Sequence, residues 1–230
     1  MPVYLLSEEL IFPPPELAEP QGLLALGGDL SVERLILAYK MGIFPWYSEG
    51  EPILWWSPDP RMVLFPEKLH VSKRLNRLLK QGKFQVTFDK AFEQVIKECA
   101  NVRIEQGQET WLTNEMISAY IELHKAGYAH SVEAWHQNKL AGGLYGIAMG
   151  QLFLGESMFT RITNGSKIAF VTLVKQLKKW NFKLIDCQVA SHHLGHFGAE
   201  EIARKEFLKH LRMFIDKPNL APFPYWDIES

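Results

Sequence analysis

Three consecutive strand-like segments, followed by one helix and one further strand, restrict the fold more than any other part of the sequence. The segments 131–136, 140–149 and 152–159 are bounded by turn-forming residues, which is typical of an antiparallel meander. In the next segment, apolar residues recur with the spacing of a helix face, at Ile168, Val171, Val174, Leu177 and Trp180. The apolar segment 184–189 completes a strand–helix–strand unit. Because such units are right-handed crossovers between parallel strands, the pattern predicts an α+β fold with a mixed sheet flanked by helices.

The rest of the chain carries weaker signals. Ser31 is placed to cap a short helix that stops at Gly42. Other segments predict, in chain order, a strand at 62–65, a helix at 71–83, a strand at 84–88, and helices around 92–99, 116–123 and 207–214. The remaining sequence before residue 62 is rich in proline and aromatic residues and predicts irregular structure. We therefore predict a small N-terminal domain, 1–62, and a larger domain, 63–230.

Composition excludes several classes of protein. The 230 residues carry a formal net charge of −1, so RNA binding would need a local basic patch. Cys99 and Cys187 lack CxxC spacing, which predicts neither a disulfide framework nor a cysteine zinc site. The N-terminus lacks the pattern of a signal peptide, and no apolar run approaches the roughly 20 residues that span a bilayer. We expect a soluble, cytoplasmic protein without membrane contact.

A basic stripe on the predicted helix 71–83 is such a local patch. No acidic residue interrupts the sequence between its ends, whereas an ordinary solvated helix face mixes both signs. The stripe is compatible with phosphate binding and equally with a merely solvated face. Its members are Lys73, Arg74, Arg77, Lys80 and Lys83.

Two polar side chains interrupt the last predicted strand of the crossover unit. The period of 2 in a strand places Asp186 and Gln188 together on one face, opposite Ile185 and Cys187. A carboxylate in a central strand is costly unless it is paired or hydrated. A functional site at the sheet and a purely structural carboxylate bound by a nearby loop both account for this pattern.

Glu156 similarly interrupts the apolar row formed by Leu152 and Leu154. The pattern fits either a site residue or a strand end that turns toward solvent. Phe153 is expected on the opposite face of the strand from Glu156, unless Gly155 marks a bulge.

Large aromatic rings are frequent in segments that otherwise have loop-like sequence. Their faces can stack on nucleic-acid bases or cover apolar side chains. For most of them we expect the second role, packing the small domain against the larger one. The rings concerned are Trp46, Tyr47, Trp55, Trp56 and Trp111.

Two loops have features of ligand-binding motifs without matching one. His192 and His196 are four residues apart, but the glutamate of a zincin motif is missing and Gly195 disfavours a helix, so no metal site is predicted. The segment 161–166 follows the meander, where a phosphate-binding loop would precede a helix, but it is not a Walker motif.

Five motifs resemble those of the bacterial leucyl/phenylalanyl-tRNA–protein transferases. They are GGDLS at 27–31, GIFPW at 42–46, ILWWSPDPR at 53–61, GESMF at 155–159 and LIDCQV at 184–189. They occur in the family's order between about residue 20 and about residue 212, and the tryptophan-rich blocks make chance agreement very improbable. The resemblance implies a small N-terminal domain and a larger domain with the GNAT-like acyltransferase fold.

The resemblance also implies a reaction. The α-amine of a protein with N-terminal Arg or Lys attacks the ester carbonyl of leucyl- or phenylalanyl-tRNA, with methionine as a further donor. A peptide bond forms, and the added residue marks the protein for degradation under the N-end rule. Because the ester is already activated, no ATP, metal or other cofactor is implied, and holding the two substrates together supplies most of the rate.

Catalytic roles carried over from the family fall on Asp186 and Gln188. Asp186 either polarises Gln188 so that it accepts a proton, or both side chains orient the amine while the ribose hydroxyl of the tRNA carries the proton. The sequence leaves both mechanisms open.

Binding roles implied by the resemblance fall on further residues. Trp111, Leu144 and Phe153 line the pocket for the donor side chain. Trp46 stacks near the terminal adenosine, and Glu156 meets either that pocket or the cationic acceptor. The basic stripe holds the acceptor stem of the tRNA through its phosphates.

Three other classes of function compete with this interpretation. A CoA-dependent N-acetyltransferase would carry a pyrophosphate-binding loop whose spacing differs from that of 161–166. A non-catalytic RNA-binding module would tolerate the loss of Asp186. A peptidyltransferase of the cell-wall bridge type would have a longer chain with a helical arm for tRNA.

Overall fold

The computed structural model describes residues 3–107 and 110–226 of the chain. The N-terminal part contains a four-stranded sheet in the order β1-β2-β4-β3. Its elements are β1 (Tyr4–Leu6), β2 (Leu23–Gly27), helix α1 (Val32–Lys40), β3 (Phe44–Pro45) and β4 (Leu54–Trp56). The prediction of irregular structure before residue 62 is therefore wrong for these strands. They are only two to five residues long, too short to show a period of 2.

Helix α1 forms where the sequence predicts it. The side chain of Ser31 accepts a hydrogen bond from the backbone N–H of Arg34 and so caps the first turn. Leu35, Ala38 and Tyr39 form the buried face, and the helix stops just before Gly42, whose φ of 76° few other residues tolerate. This capped helix brings the hydroxyl of Tyr39 into the interior of the protein.

The larger part of the chain is built on a seven-stranded sheet in the order β11-β5-β10-β9-β8-β7-β6. Only the neighbours β9 and β10 run parallel, and the other pairs are antiparallel. The α+β class and the mixed sheet with one parallel crossover are confirmed. The strands are β5 (Arg61–Leu64), β6 (Gln85–Phe88), β7 (Ala129–His136), β8 (Lys139–Met149), β9 (Leu152–Thr160), β10 (Leu184–Gln188) and β11 (Glu200–Ile202).

Helices cover both faces of this sheet, as the sequence predicts. The crossover helix, 165–179, packs on β7 and β8 from one face, in a core that buries Ile168. The helices 92–105 and 114–125 pack on the opposite face, in a core that buries Val95. The helices are α2 (Lys73–Lys80), α3 (Phe92–Glu105), α4 (Asn114–Lys125), α5 (Gly165–Lys179), α6 (His192–Gly195) and α7 (Arg204–Phe214).

Two helix predictions need correction. Helix α2 is shorter than the predicted 71–83, because the Ser72 hydroxyl accepts a hydrogen bond from the N–H of Leu75 and Gly82 follows the last turn with φ 62°. Gly195 also predicts that a helix is disfavoured at this position, yet α6 forms one turn that ends there. Ser191 caps that turn, and Gly195 is its last residue, where glycine is tolerated.

One hydrophobic cluster joins the two sheets. It contains Leu24 and Trp55 from the first sheet, Tyr120 and Tyr145 from the helix and strand layers of the second, and Phe207 from α7. Burial of such side chains contributes about 1.5–3 kcal/mol each. A division of the chain at residue 62 remains a prediction.

After α7, the C-terminal tail packs against the second sheet. Trp226 is 1% exposed, stacks on His130 with ring centroids 3.9 Å apart, and lies 5.9 Å from the ring of Phe153. Its backbone N–H donates a 2.7 Å hydrogen bond to the carboxylate of Asp89. The tail thus packs behind Phe153. None of the helices in the described part of the chain combines the length and apolar character of a membrane span.

Candidate active site

The parallel strands β9 and β10 separate toward their C-terminal ends. Their pairing stops at Leu154 and Asp186. Just beyond, Gly155 and Ser157 pair with β8 while Glu156 is left out, and the pairing of β10 with β5 skips Cys187. A bulge therefore lies beside Gly155, the condition under which Phe153 and Glu156 can face the same space. Both residues line one cavity between the separated strands.

Asp186 is held by Arg61 in the interior. The Arg61 guanidinium donates to the carboxylate from Nε at 2.8 Å and from Nη2 at 2.6 Å. The backbone N–H of Gln188 donates to Oδ1 at 2.9 Å. Both carboxylate oxygens of Asp186 are thus occupied by protein donors.

Gln188 owes its position to this arrangement. The bulge gives it a φ of 63°, which residues other than glycine rarely adopt, and its N–H is fixed by Asp186. Its side-chain amide donates to Oε1 of Glu156 at 2.8 Å. Within the described residues, no hydrogen bond reaches Oε1 of Gln188, so this carbonyl oxygen is available as an acceptor at the cavity wall.

Glu156 lies at the centre of a buried polar cluster. Tyr39 donates to its Oε1 at 2.8 Å and Tyr120 to its Oε2 at 3.0 Å, and the two hydroxyls also contact each other. Burial raises the pKa of the Glu156 carboxyl to about 8, while the hydrogen bonds from the two tyrosines act in the opposite direction. The carboxyl is therefore committed to positioning Gln188 and sits between two cavities.

The first cavity, which we call the apolar cavity, has a volume of about 350 Å³. It opens between β9, β10 and α5, and Asp186, Gln188 and Glu156 lie at its polar end. The predicted pocket residues Leu144 and Phe153 line it, together with Phe170, Leu173, Ile185 and Leu194.

The second cavity, which we call the aromatic cleft, has a volume of about 600 Å³ and meets the first at Glu156 and Gln188. Trp46 is 44% exposed on its wall, and its ring lies 6.0 Å from that of Trp56. Trp111 also lines this cleft and does not line the apolar cavity, where the resemblance places it. The packing expected for most of the large rings is confirmed: Tyr47 and Trp55 belong to the buried core, and Trp56 and Trp111 pack against it. Trp55 also donates to the carbonyl of Gly27.

The basic stripe is divided by the fold. Arg74 and Arg77 line a groove of about 690 Å³, the basic groove, together with Lys167, His193 and His196. No acidic side chain is part of its lining. Lys73, Lys80 and Lys83 are exposed but lie outside this lining, and Lys83 follows the end of α2. His193 also lines the apolar cavity, so the groove and the cavity adjoin.

The paired rings of His192 and His196 lie 4.5 Å apart. Among residues 3–107 and 110–226, no three His, Cys, Asp or Glu side chains are grouped as they would be to bind a metal ion.

Three residues of the site received no role from the sequence. Arg61, Tyr39 and Tyr120 hold Asp186 and Glu156 across separations of 125, 117 and 36 residues. The cost of an unpaired carboxylate in a central strand indicates that Asp186 needs a cationic partner, but it does not identify Arg61 among the 25 lysines and arginines.

Comparisons with known proteins agree along the whole chain. The leucyl/phenylalanyl-tRNA protein transferase family model matches residues 63–212, and the model of the N-terminal domain of that family matches residues 28–59. A leucyl/phenylalanyl-tRNA–protein transferase of Syntrophobacter fumaroxidans is 56% identical over 230 residues, covering 100% of this chain and 97% of the relative. One from Stutzerimonas stutzeri is 55% identical over 223 residues, covering 96% and 98%.

A solved GCN5-related N-acetyltransferase from Kribbella flavida is 12% identical, with a TM-score of 0.38 over 72% of this chain and 58% of that one. A likeness of this size says nothing about function. The sequence matches define the class: the chain is an aminoacyltransferase that acts with aminoacyl-tRNA and protein. It belongs to the leucyl/phenylalanyl-tRNA protein transferase family, as the five motifs indicate.

Proposed function

We propose that the protein transfers leucine or phenylalanine, with methionine as a further donor, from aminoacyl-tRNA to proteins that begin with Arg or Lys. The product carries a new peptide bond and is marked for degradation under the N-end rule, in the cytoplasm. The observation that carries this proposal is the meeting of the apolar cavity and the aromatic cleft at Gln188 and Glu156.

The sizes of the two cavities support a division of the donor between them. The apolar cavity, at about 350 Å³, lies near the lower limit of roughly 300 Å³ for small-molecule pockets. It suits one hydrophobic side chain that is not branched at Cβ, packed against Leu144 and Phe153. The terminal adenosine then lies in the aromatic cleft, where Trp46 and Trp111 offer ring faces for stacking. The ester between these two parts reaches Gln188.

Gln188 orients the attacking amine in this proposal. An N-terminal amine has a pKa of about 7.7–8.0, so a useful fraction is neutral without any protein base. The free Oε1 of Gln188 accepts a hydrogen bond from the amine N–H and directs the lone pair at the ester carbon. The C–N bond forms, the ester C–O bond breaks, and the proton passes to the ribose oxygen that leaves.

Asp186 acts as a positioning residue in the same mechanism. Both of its oxygens are occupied by Arg61 and the Gln188 N–H, which supports orientation of Gln188 over direct proton acceptance. Glu156 holds the amide end of Gln188 so that the carbonyl end faces the substrate. Of the two mechanisms that the sequence leaves open, the contacts favour orientation of the amine.

Binding of the tRNA acceptor stem is assigned to the basic groove. Arg74 and Arg77 would contact phosphates together with Lys167, while Lys73, Lys80 and Lys83 add an exposed cationic margin. Phosphate contacts fix the position of a nucleic acid without reading its sequence.

The test is transfer of radiolabelled leucine from leucyl-tRNA to a model protein beginning with Arg, with a matched protein beginning with Ala. Gln188→Ala should abolish label on the Arg protein, and Gln94→Ala, an exposed glutamine on α3, should leave it unchanged. Label on both acceptors would contradict the acceptor rule. Absence of transfer by the wild type, with tRNA still bound, would replace the proposal by an RNA-binding function.

A further inference from the structure

One charged residue at the junction of the two cavities has no part in the mechanism above. The aromatic cleft and the apolar cavity share four lining residues, namely Arg103, Glu156, Gln188 and Val189. Arg103 belongs to the last turn of α3 and is half-buried. Its position next to Glu156 and Gln188 places a permanent positive charge where the donor ester would lie.

The guanidinium of Arg103 has no protein partner among the residues that the structure describes. The acidic residues closest to it in the sequence of α3 are Glu98 and Glu105, and both carboxylates bind Arg161. Both carboxylates are therefore already paired with another arginine. A half-buried guanidinium without an anion is costly, and such a charge is typical of a site whose anion comes from a ligand.

The charge of Arg103 also reaches the interior of the site. Burial is the largest cause of the strongly raised pKa of the Tyr145 hydroxyl, and the Arg103 charge acts in the opposite direction. Tyr145 lines the apolar cavity, and Arg103 itself lines both cavities, so the charge borders the shared space.

We propose that Arg103 binds the phosphate on the 5′ side of the donor's terminal nucleoside. This inference rests on the proposed function, which places the nucleoside in the aromatic cleft and the ester at Gln188. That phosphate is the donor anion nearest to the ester, since only the ribose separates the two. A guanidinium binds phosphate through two parallel N–H donors, which would fix the rotation of the ribose as well as its position.

A different role for Arg103 would be stabilisation of the oxyanion that forms as the amine attacks the ester carbon. The two roles predict different partners on the donor. The phosphate role depends on a group that can be removed from the donor without touching the ester, and the oxyanion role does not.

The experiment uses two unreactive donor analogues in which an amide replaces the ester: phenylalanyl-3′-amino-3′-deoxyadenosine with and without a 5′-phosphate. Calorimetry measures their affinity for the wild type, Arg103→Gln and Arg103→Lys. A charged hydrogen-bond pair implies that the phosphate strengthens wild-type binding about 10- to 100-fold. Arg103→Gln should lose this gain and bind the phosphate-free analogue as the wild type does. Arg103→Lys should keep part of the gain.

Arg212→Gln, which removes an exposed arginine that lines neither cavity, is the control for loss of one positive charge. Its affinities for both analogues should equal those of the wild type. Equal wild-type affinity for the two analogues would overturn the inference, and so would equal weakening of both by Arg103→Gln. If the wild type binds neither analogue and does not transfer leucine from leucyl-tRNA, the proposed function fails, which is a different result from loss of the phosphate gain alone.

Discussion

The carboxylate of Asp186 and the guanidinium of Arg61 form a doubly hydrogen-bonded ion pair in which both side chains are 1% exposed. The pair is enclosed by aromatic rings, since Phe44 and Phe207 lie 4.9 and 4.4 Å from the Arg61 guanidinium carbon. Arg61 thereby fixes the carboxylate of Asp186, and this carboxylate in turn fixes the backbone N–H of Gln188. The pair thus holds Gln188 in place, and its Arg61 half lines neither cavity.

Breaking this pair should be far more damaging than removing it whole. Arg61→Met leaves a buried carboxylate without its partner and should lower the free energy of unfolding by about 3–5 kcal/mol. The double variant Arg61→Met with Asp186→Leu should be less destabilised than the sum of the single variants. Urea denaturation followed by circular dichroism measures each value. Lys97→Ala, which removes an exposed ion pair with Glu93, should change it by less than about 0.5 kcal/mol.

Gln188 offers a test of strain against function. Its φ of 63° costs alanine about 1–2 kcal/mol but costs glycine almost nothing. After allowance for the flexibility of unfolded glycine, Gln188→Gly should be more stable than Gln188→Ala by about 0.5–1 kcal/mol. Neither variant should transfer leucine. A Gly variant less stable than the Ala variant, as at ordinary strand positions, would show that the backbone at Gln188 is relaxed.

Glu156 should make stability depend on pH. Its pKa is about 8 in the folded protein and near the ordinary 4.5 in the unfolded chain, mainly because burial disfavours the charged form. Between these values the folded state holds a proton that the unfolded state has lost. The contribution of this group to the free energy of unfolding therefore falls as pH rises from about 4.5 to about 8.

Glu156→Gln should flatten that decline, as measured by chemical denaturation across the same pH range. Glu33→Gln, on the exposed side of α1, should keep the wild-type slope. A slope shared by the wild type and Glu156→Gln would mean that other groups cause it.

The C-terminal tail should affect both stability and donor choice. Trp226→Ala removes a buried indole and should cost about 3–5 kcal/mol of unfolding free energy. The space it leaves lies behind Phe153, so the apolar cavity should deepen and the ratio of phenylalanine to leucine transfer should rise. Thermal denaturation and competition between the two donors measure these effects.

Leu220→Ala, in the same tail at 70% exposure, should change neither quantity by a measurable amount. If Trp226→Ala lowers stability but leaves the donor ratio at the wild-type value, Trp226 supports the fold without shaping the cavity.

The periodic elements could be predicted from the sequence, and the irregular ones could not. The apolar face of α5 and the meander have long repeats, so the parallel crossover between β9 and β10 follows from them. The bulges at Glu156 and Cys187 each come from one extra residue, which a strand period does not reveal, although Gly155 marks a place where one is tolerated.

A local capping signal and several tertiary contacts account for the remaining differences. Helix α2 begins after Ser72 because this residue caps it. The apolar periodicity extends back to Val71 and therefore predicts an earlier start. The pairing of Arg61 with Asp186 and of Tyr39 with Glu156 joins residues far apart in the chain, which no local pattern records. The strand patterns single out Asp186, Gln188 and Glu156, and the family resemblance implies their roles, but only the fold identifies the partners of Asp186 and Glu156.

The wide sequence separation of these partners has a kinetic consequence. Arg61 and Asp186 are 125 residues apart, and Tyr39 and Glu156 are 117 apart. Contacts between residues so far apart in sequence form slowly, because the entropy cost of closing a long loop comes before the contact stabilises the chain. Local elements such as the β7–β8 hairpin and α5 can form first, without any of the polar cluster. We therefore expect refolding protein to regain its secondary structure before it regains transfer activity.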